Sequence, residues 1–205
     1  MSTASARGVV YVVTGKRGSG KTTFCRVLVD RVRSHCADLV PAGVLSQKIL
    51  RRGREVGIEV IDLTSGQRRR LATRRDRHDP TAGPCTVRWR FNADALAWGD
   101  AVLRRATPCG LLVVDEVGPL EFERGEGWMG AFAAVDSGSY DFAFVVVRAG
   151  LVERALQRWP EARAVLIDDA TDAEASARRS AVDLCSRASV HAKRLREDSN
   201  SRHPV

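Results

Sequence analysis

Aromatic residues are scarce in this chain: four Trp, two Tyr and six Phe make up 6% of its 205 residues. None interleaves with a basic run, as a base-stacking platform for nucleic acid requires. No apolar stretch approaches the ~20 residues that span a bilayer. The opening MSTASARG has one arginine and no apolar core, so it does not read as a secretory signal. Five cysteines (Cys25, Cys36, Cys85, Cys109, Cys185) form no Cys-x-x-Cys pair and are an odd number. They are expected to be reduced thiols of a cytoplasmic protein, which excludes a disulfide frame or a zinc site. His35, His78, His191 and His203 lack metal-ligand spacing. No internal repeat is present.

What remains is an ordinary soluble composition, 44% hydrophobic and 28% charged, with length enough for one sizeable core. The net charge is +8, mostly arginine, densest in RRRLATRRDRH, Arg68–His78. Such a run is more often a solvated surface than a nucleic-acid site.

The run VVYVV (Val9–Val13) has the continuous apolarity of a strand buried on both faces. GKRGSGKT follows it directly, Gly15 to Thr22, and fits G-x-x-x-x-G-K-[ST]. Phe24, Val27, Leu28 and Val32 then recur at helical spacing. A strand, this loop and a helix together form a phosphate cradle. The glycines Gly15, Gly18 and Gly20 let backbone amides turn inward, and the helix start adds the positive end of its dipole. Lys16, Arg17, Ser19 and Thr23 belong to the same nucleotide-binding stretch. Lys21 is placed to reach the β- and γ-phosphates, and the Thr22 hydroxyl to ligate Mg²⁺.

A phosphate loop needs a carboxylate at the C-terminal end of a neighbouring strand. LLVVDE, Leu111–Glu116, supplies it. Asp115 is the candidate metal residue, directly or through water. Glu116 is the candidate to polarise a water for in-line attack on the γ-phosphate.

Around these motifs, period-two alternation from Ala42 predicts an antiparallel meander over residues 42–91, with turns at Arg51–Glu55 and Thr64–Gln67. His78–Pro84 reads as a loop and Cys85–Phe91 as a strand. A helix is expected over Asn92–Arg105 with Asn92 as N-cap. Phe142–Val147 and Ala164–Ile167 read as further core strands, with helices at Trp128–Val135 and Leu151–Trp159. Thr171–Glu174 reads as a capping box opening a helix through residue 197, followed by a disordered tail, 198–205. Alternating strands and helices imply an α/β domain over residues 1–170: a mostly parallel sheet with helices on both faces and the meander inserted.

The motifs GKRGSGKTT and LLVVDEVGPLE, with the meander segment Ala42–Ala72, resemble the THEP1-type nucleoside-triphosphatase family. The resemblance extends from about Gly8 to Asp168. It implies a RecA-like P-loop fold and Mg²⁺-dependent hydrolysis of ATP, GTP and other nucleoside triphosphates with loose base selectivity. Arg148, at the end of VVVR, matches the family in type and place; a cation there can sense the γ-phosphate or form a surface salt bridge. Glu121 lies in the shared motif without a role that its pattern explains. Lys16 and Arg17 make this loop more basic than the family's usual choice. Two other readings stand beside hydrolysis. A kinase would share the loop and need an arginine-bearing lid over the donor phosphates. A nucleotide-gated module would grip RNA, DNA or protein through its basic surface. A monomer without membrane contact is the default expectation.

Overall fold

The structure is a computed structural model that describes residues 8–75 and 88–200, with side chains through Val190. Eight strands form one sheet in the order β5-β4-β3-β2-β6-β7-β1-β8. The strands are β1 (Val9–Thr14), β2 (Pro41–Arg51), β3 (Arg54–Asp62), β4 (Arg68–Arg74), β5 (Trp89–Phe91), β6 (Cys109–Val117), β7 (Tyr140–Val147) and β8 (Arg163–Leu166). β2, β6, β7, β1 and β8 run parallel. Their apolar runs supply a core covered on both faces, as a parallel sheet requires. The helices are α1 (Lys21–His35), α2 (Ala93–Arg104), α3 (Met129–Asp136), α4 (Val152–Arg158) and α5 (Ala170–Asn200).

Alternating side chains sort the core into two layers. Val12, Val44, Leu112, Val114, Val145 and Val147 pack with residues of α2, α3 and α4. Val13, Leu45, Leu111, Val113, Phe144 and Val146 pack with α1 and α5. In that second layer Phe24 and Leu28 of α1 and Ala173, Ala177 and Leu184 of α5 are fully or almost fully buried. Each large side chain so buried contributes about 1.5–3 kcal/mol of transfer free energy. Asn92 caps α2 as expected, its Oδ1 accepting from Ala95 N at 2.9 Å.

The expected antiparallel meander is present as β2–β3–β4–β5, and it joins the main sheet through β2, which pairs in parallel with β6. The hairpin turns fall at Arg52–Gly53 and near Thr64–Ser65. The β2–β3 turn has positive φ at both central residues, 51° and 74°. Such turns twist in the sense of the strands they join. The C-terminal helix opens on Asp169, not on a Thr171 capping box: Asp169 Oδ1 accepts from Thr171 N at 2.8 Å and Asp172 N at 2.9 Å. It continues through Asn200, three residues into the segment expected to be disordered. The expectation of five reduced thiols fails for Cys36 and Cys185, which form a disulfide between the end of α1 and α5. Cys25 and Cys109 are free. The His78–Pro84 loop, the Cys85–Val87 part of the expected strand and residues 201–205 lie outside the described residues. Among the described residues no helix is long and apolar enough to cross a membrane.

Candidate nucleotide site

Where β1 ends, the sheet's C-terminal edge opens and the glycine loop begins. Gly15 is buried with φ of +149°, and a Cβ there would sit 2.2 Å from the Ile167 carbonyl oxygen. Gly20 forms the N-cap of α1 at φ +98°, and its Cβ would meet Ala173 of α5 at 2.9 Å. These two positions therefore need glycine for space and for backbone conformation. The loop is pressed between β1 and the start of α5. Lys16, Arg17 and Gly18 are exposed on its outer side. Ser19 is inside, 5% exposed, and its hydroxyl has no protein partner. Lys21 folds back over the loop, Nζ donating to the Gly15 and Lys16 carbonyls at 2.9 Å each. Burial depresses the Lys21 pKa first of all; Glu116 and Asp115 oppose the shift and Arg148 adds to it. Thr23 is half-buried one residue beyond Thr22.

Thr22, in the first turn of α1, reaches across to β6. Its hydroxyl lies 3.3 Å from Asp115 Oδ1. The other carboxylate oxygen accepts from Ser46 N at 3.0 Å, and the Ser46 hydroxyl donates to the Asp115 carbonyl at 3.2 Å. Asp115 is 1% exposed. Burial first, and Glu116 second, push its pKa up to about 7, against the hydrogen bonds from Ser46 and Thr22 and the charge of Lys21. Ser46 carries no mark in the sequence: it is a strand residue of β2, 69 positions away.

Regular alternation would send Asp115 and Glu116 to opposite faces of the sheet. A bulge interrupts it. The β6–β7 register shifts between Val114 and Val117, and Glu116 takes φ of +83°. A non-glycine residue in that region costs on the order of 1–3 kcal/mol and needs its surroundings to hold it there. Bulges are common beside sites where a side chain must be re-aimed. Glu116 Oε1 accepts from Arg148 Nε at 3.1 Å and Nη2 at 2.6 Å. The structure thus brings Lys21, Thr22, Asp115, Glu116 and Arg148 into one cluster at the ends of β1, β6 and β7.

Glu121 explains itself here. It is 8% exposed in a π-helical turn, Leu120–Arg124. Its carboxylate accepts from Gly118 N at 2.8 Å and Trp128 N at 2.9 Å, closing the loop after β6. Burial raises its pKa; the hydrogen bonds from Trp128 and Gly118 lower it. Glu121→Gln replaces one acceptor by a donor facing a backbone N–H. It should cost about 1–3 kcal/mol, read as a lower urea midpoint. An unchanged midpoint would remove Glu121 from this bracing role.

Residues 10–126 match the family model described as NTPase. The nucleoside-triphosphatase THEP1 of Methanopyrus kandleri is 33% identical over 113 residues, 55% of this chain and 59% of that protein. THEP1 of Pyrobaculum aerophilum is 32% identical over 111 residues, 54% and 58% respectively. The chain thus spans about three fifths of the length of these curated relatives. The solution structure of a human cancer-related nucleoside triphosphatase shares the fold, with a TM-score of 0.57 at 21% identity, over 80% of this chain and 88% of that one. The glycine loop, the Asp-Glu pair and the GPLE turn all fall inside the matched residues, and the chain belongs to the NTPase family of THEP1-type nucleoside-triphosphatases.

Proposed function

We propose that this protein hydrolyses nucleoside triphosphates to diphosphate and phosphate, with Mg²⁺ and without strong base selectivity. The observation that carries this reading is the meeting of the Thr22 hydroxyl with Asp115, 93 positions away, at 3.3 Å. Among the described residues no group of three or more His, Cys, Asp or Glu side chains could hold a metal alone. Mg²⁺ does not need one: it is usually bound by one or two carboxylates, waters and the substrate's own phosphates. A buried carboxylate facing a hydroxyl beside a phosphate loop fits that description, so Thr22 and Asp115 would hold the ion. When bound, it supplies positive charge to the β- and γ-phosphate oxygens.

The chain's own residues supply the rest. Loop amides from Gly15 to Thr22 and the start of α1 bind the phosphates. Lys21 exchanges its two loop carbonyls for phosphate oxygens and balances charge that develops on the leaving β-phosphate. The buried Ser19 hydroxyl donates to a phosphate oxygen. Glu116 accepts a proton from water as the water oxygen bonds to the γ-phosphorus and the bond to the β-bridging oxygen breaks. Arg148 holds the Glu116 carboxylate in place and sets a cation at the γ-phosphate end. The kinase reading needs a lid, and of the arginines that could form one, Arg68, Arg69, Arg70 and Arg74 lie in strand β4, which favours hydrolysis.

Glu116→Gln tests the assignment. It removes the proton acceptor and keeps the side chain's shape. Phosphate release should fall about 10²- to 10⁴-fold, with nucleotide affinity retained. Wild-type release in this variant would take the water-activating role away from Glu116.

A further inference from the structure

Scattered in sequence, the chain's positive charge is gathered in space. Residues 41–75 and 88–91 carry eleven arginines and lysines against three carboxylates, an excess equal to the net charge of the whole protein. These residues are β2, β3, β4, β5 and their connections. The β2–β6 ladder ends at Val44, Ser46 still bonds Asp115, and β2 continues through Arg51 paired with β3, which β4 flanks as far as Gly57; the hairpin tip beyond forms an arm. Four residues, Lys48–Arg51, at the usual strand rise carry that arm about 13 Å past the end of β6 at Val117, on the side where the glycine loop lies.

The arm's tip is built against local preference. Arg51 stands directly opposite Arg54, and like charges in that position destabilise a strand pair. Arg52 takes φ of 51° in a turn where Asn or Gly is favoured. Sequence choices that oppose local stability cluster where a function demands them. Arg51, Arg52, Arg54, Arg68 and Arg70 are exposed. Lys48 pairs with Glu55, and Arg68 with Glu59 at 3.1 Å. The Lys48 hydrogen bond, with the charges of Lys48, Arg17 and Arg88, holds the Glu55 carboxyl below the usual range against the opposing effect of burial. Arg17 of the glycine loop and Arg88 before β5 thus act electrostatically on this part of the arm. On the opposite side α2 packs against β2, β3 and β4, and Arg69 lies over the Trp98 ring of α2 at 4.8 Å.

We propose that this arm and β4 form a docking surface for the phosphodiester backbone of a nucleic-acid strand. The cations extend over a longer surface than one triphosphate covers, and arginine suits phosphate by its planar donor fork. Among the described residues Leu50 is the one exposed large hydrophobic side chain on the arm, too little apolar surface for a lipid anchor. Sequence is not read: the exposed cations address phosphate, which positions without specifying. The surface does not require the hydrolysis reading, because its binding is measured without nucleotide.

The test is fluorescence anisotropy of a labelled mixed-sequence 20-nucleotide single strand, as DNA and as RNA, titrated at several salt concentrations. About five arginine–phosphate contacts give a slope of log K against log salt near −3.5. Arg54→Glu with Arg70→Glu should weaken binding at least 100-fold and flatten the slope. Arg31→Glu with Arg163→Glu, which lowers net charge equally far from the arm, should weaken it less than about threefold. Arg70 stands opposite Glu59, so Arg70→Glu sets two carboxylates against each other; Arg54→Glu alone replaces the Arg51–Arg54 repulsion with attraction, so its urea midpoint should hold or rise, and the weaker binding expected of that single variant cannot come from unfolding. Equal losses in both double variants, no binding at low salt, or binding to phosphatidylserine vesicles in place of the oligonucleotide would each overturn the proposal.

Discussion

Asp115→Asn should silence phosphate release and, in the same protein, raise folding stability above pH 7. Both effects come from one buried carboxyl. Burial, with Glu116 next, holds its pKa at about 7 instead of the ordinary 3.8. The folded state therefore keeps a proton that the unfolded state has already released. Between about pH 4 and 7 the folded state binds more protons, so stability falls as pH rises through that window. Above pH 7 the full penalty of a buried charge applies, on the order of a few kcal/mol for a shift near three units. Asparagine removes the penalty, and its oxygen can still accept from Ser46 N. In EDTA, the variant's urea midpoint should exceed that of the wild type at pH 8, and the gap should close toward pH 4. With Mg²⁺ and nucleotide the order of activity reverses. Loss of the charge proposed to hold Mg²⁺ would remove several kcal/mol of transition-state stabilisation, so kcat should drop about 10³-fold or more. A variant less stable than the wild type at pH 8 would contradict the assignment of that strain to Asp115.

Lys21→Ala carries the second large effect. The ammonium donates to the Gly15 and Lys16 carbonyls and sits within the field of Asp115, Glu116 and Arg148. In the proposed reaction it turns to the β- and γ-phosphates, where charge develops. Removing a donor aimed at such charge costs on the order of 10²–10³ in rate; a full cation that also binds the substrate should cost more in kcat/KM. Its stability effect should be small, within about 0.5 kcal/mol, because its contacts lie at a partly exposed edge. Lys21→Arg should not restore activity, since the planar guanidinium cannot act as a compact point charge. A Lys21→Ala protein with wild-type kcat/KM would remove the loop from the chemistry.

The glycine loop was legible because its chemistry is contiguous: three glycines, a lysine and a threonine at fixed spacing after an apolar run. Asp115 and Glu116 were legible for a similar reason, as two carboxylates ending a run of four buried residues. Four of the five parallel strands, β1, β6, β7 and β8, were legible as apolar runs; β2 was legible only as a strand of the meander, and its parallel pairing with β6 was not. What lay hidden depends on contacts distant in sequence. Ser46 is one polar residue in a strand, and only the pairing of β2 with β6 brings it to Asp115. The bulge that gives Glu116 its positive φ leaves no glycine to announce it. Cys36 and Cys185 are 149 positions apart, and neither has a neighbouring cysteine to suggest a bond. Asp169 caps α5 where Thr171 was expected; each stands three residues before a carboxylate, Asp172 and Glu174, so spacing does not tell them apart. The basic surface was hidden most fully: Arg51–Arg54, Arg68–Arg75 and Arg88–Arg90 are separate clusters until β2, β3, β4 and β5 pair.

Hydrolysis differs from phosphoryl transfer in one respect that can be read directly, the identity of the group that attacks the γ-phosphorus. The decisive measurement is mass spectrometry of phosphate released from ATP, GTP, CTP and UTP by the protein with Mg²⁺ in ¹⁸O-enriched water, with no acceptor added. The account predicts phosphate from all four nucleotides, equimolar with diphosphate, each carrying one oxygen from water. Nucleotide bound but left intact until an acceptor is supplied would contradict it.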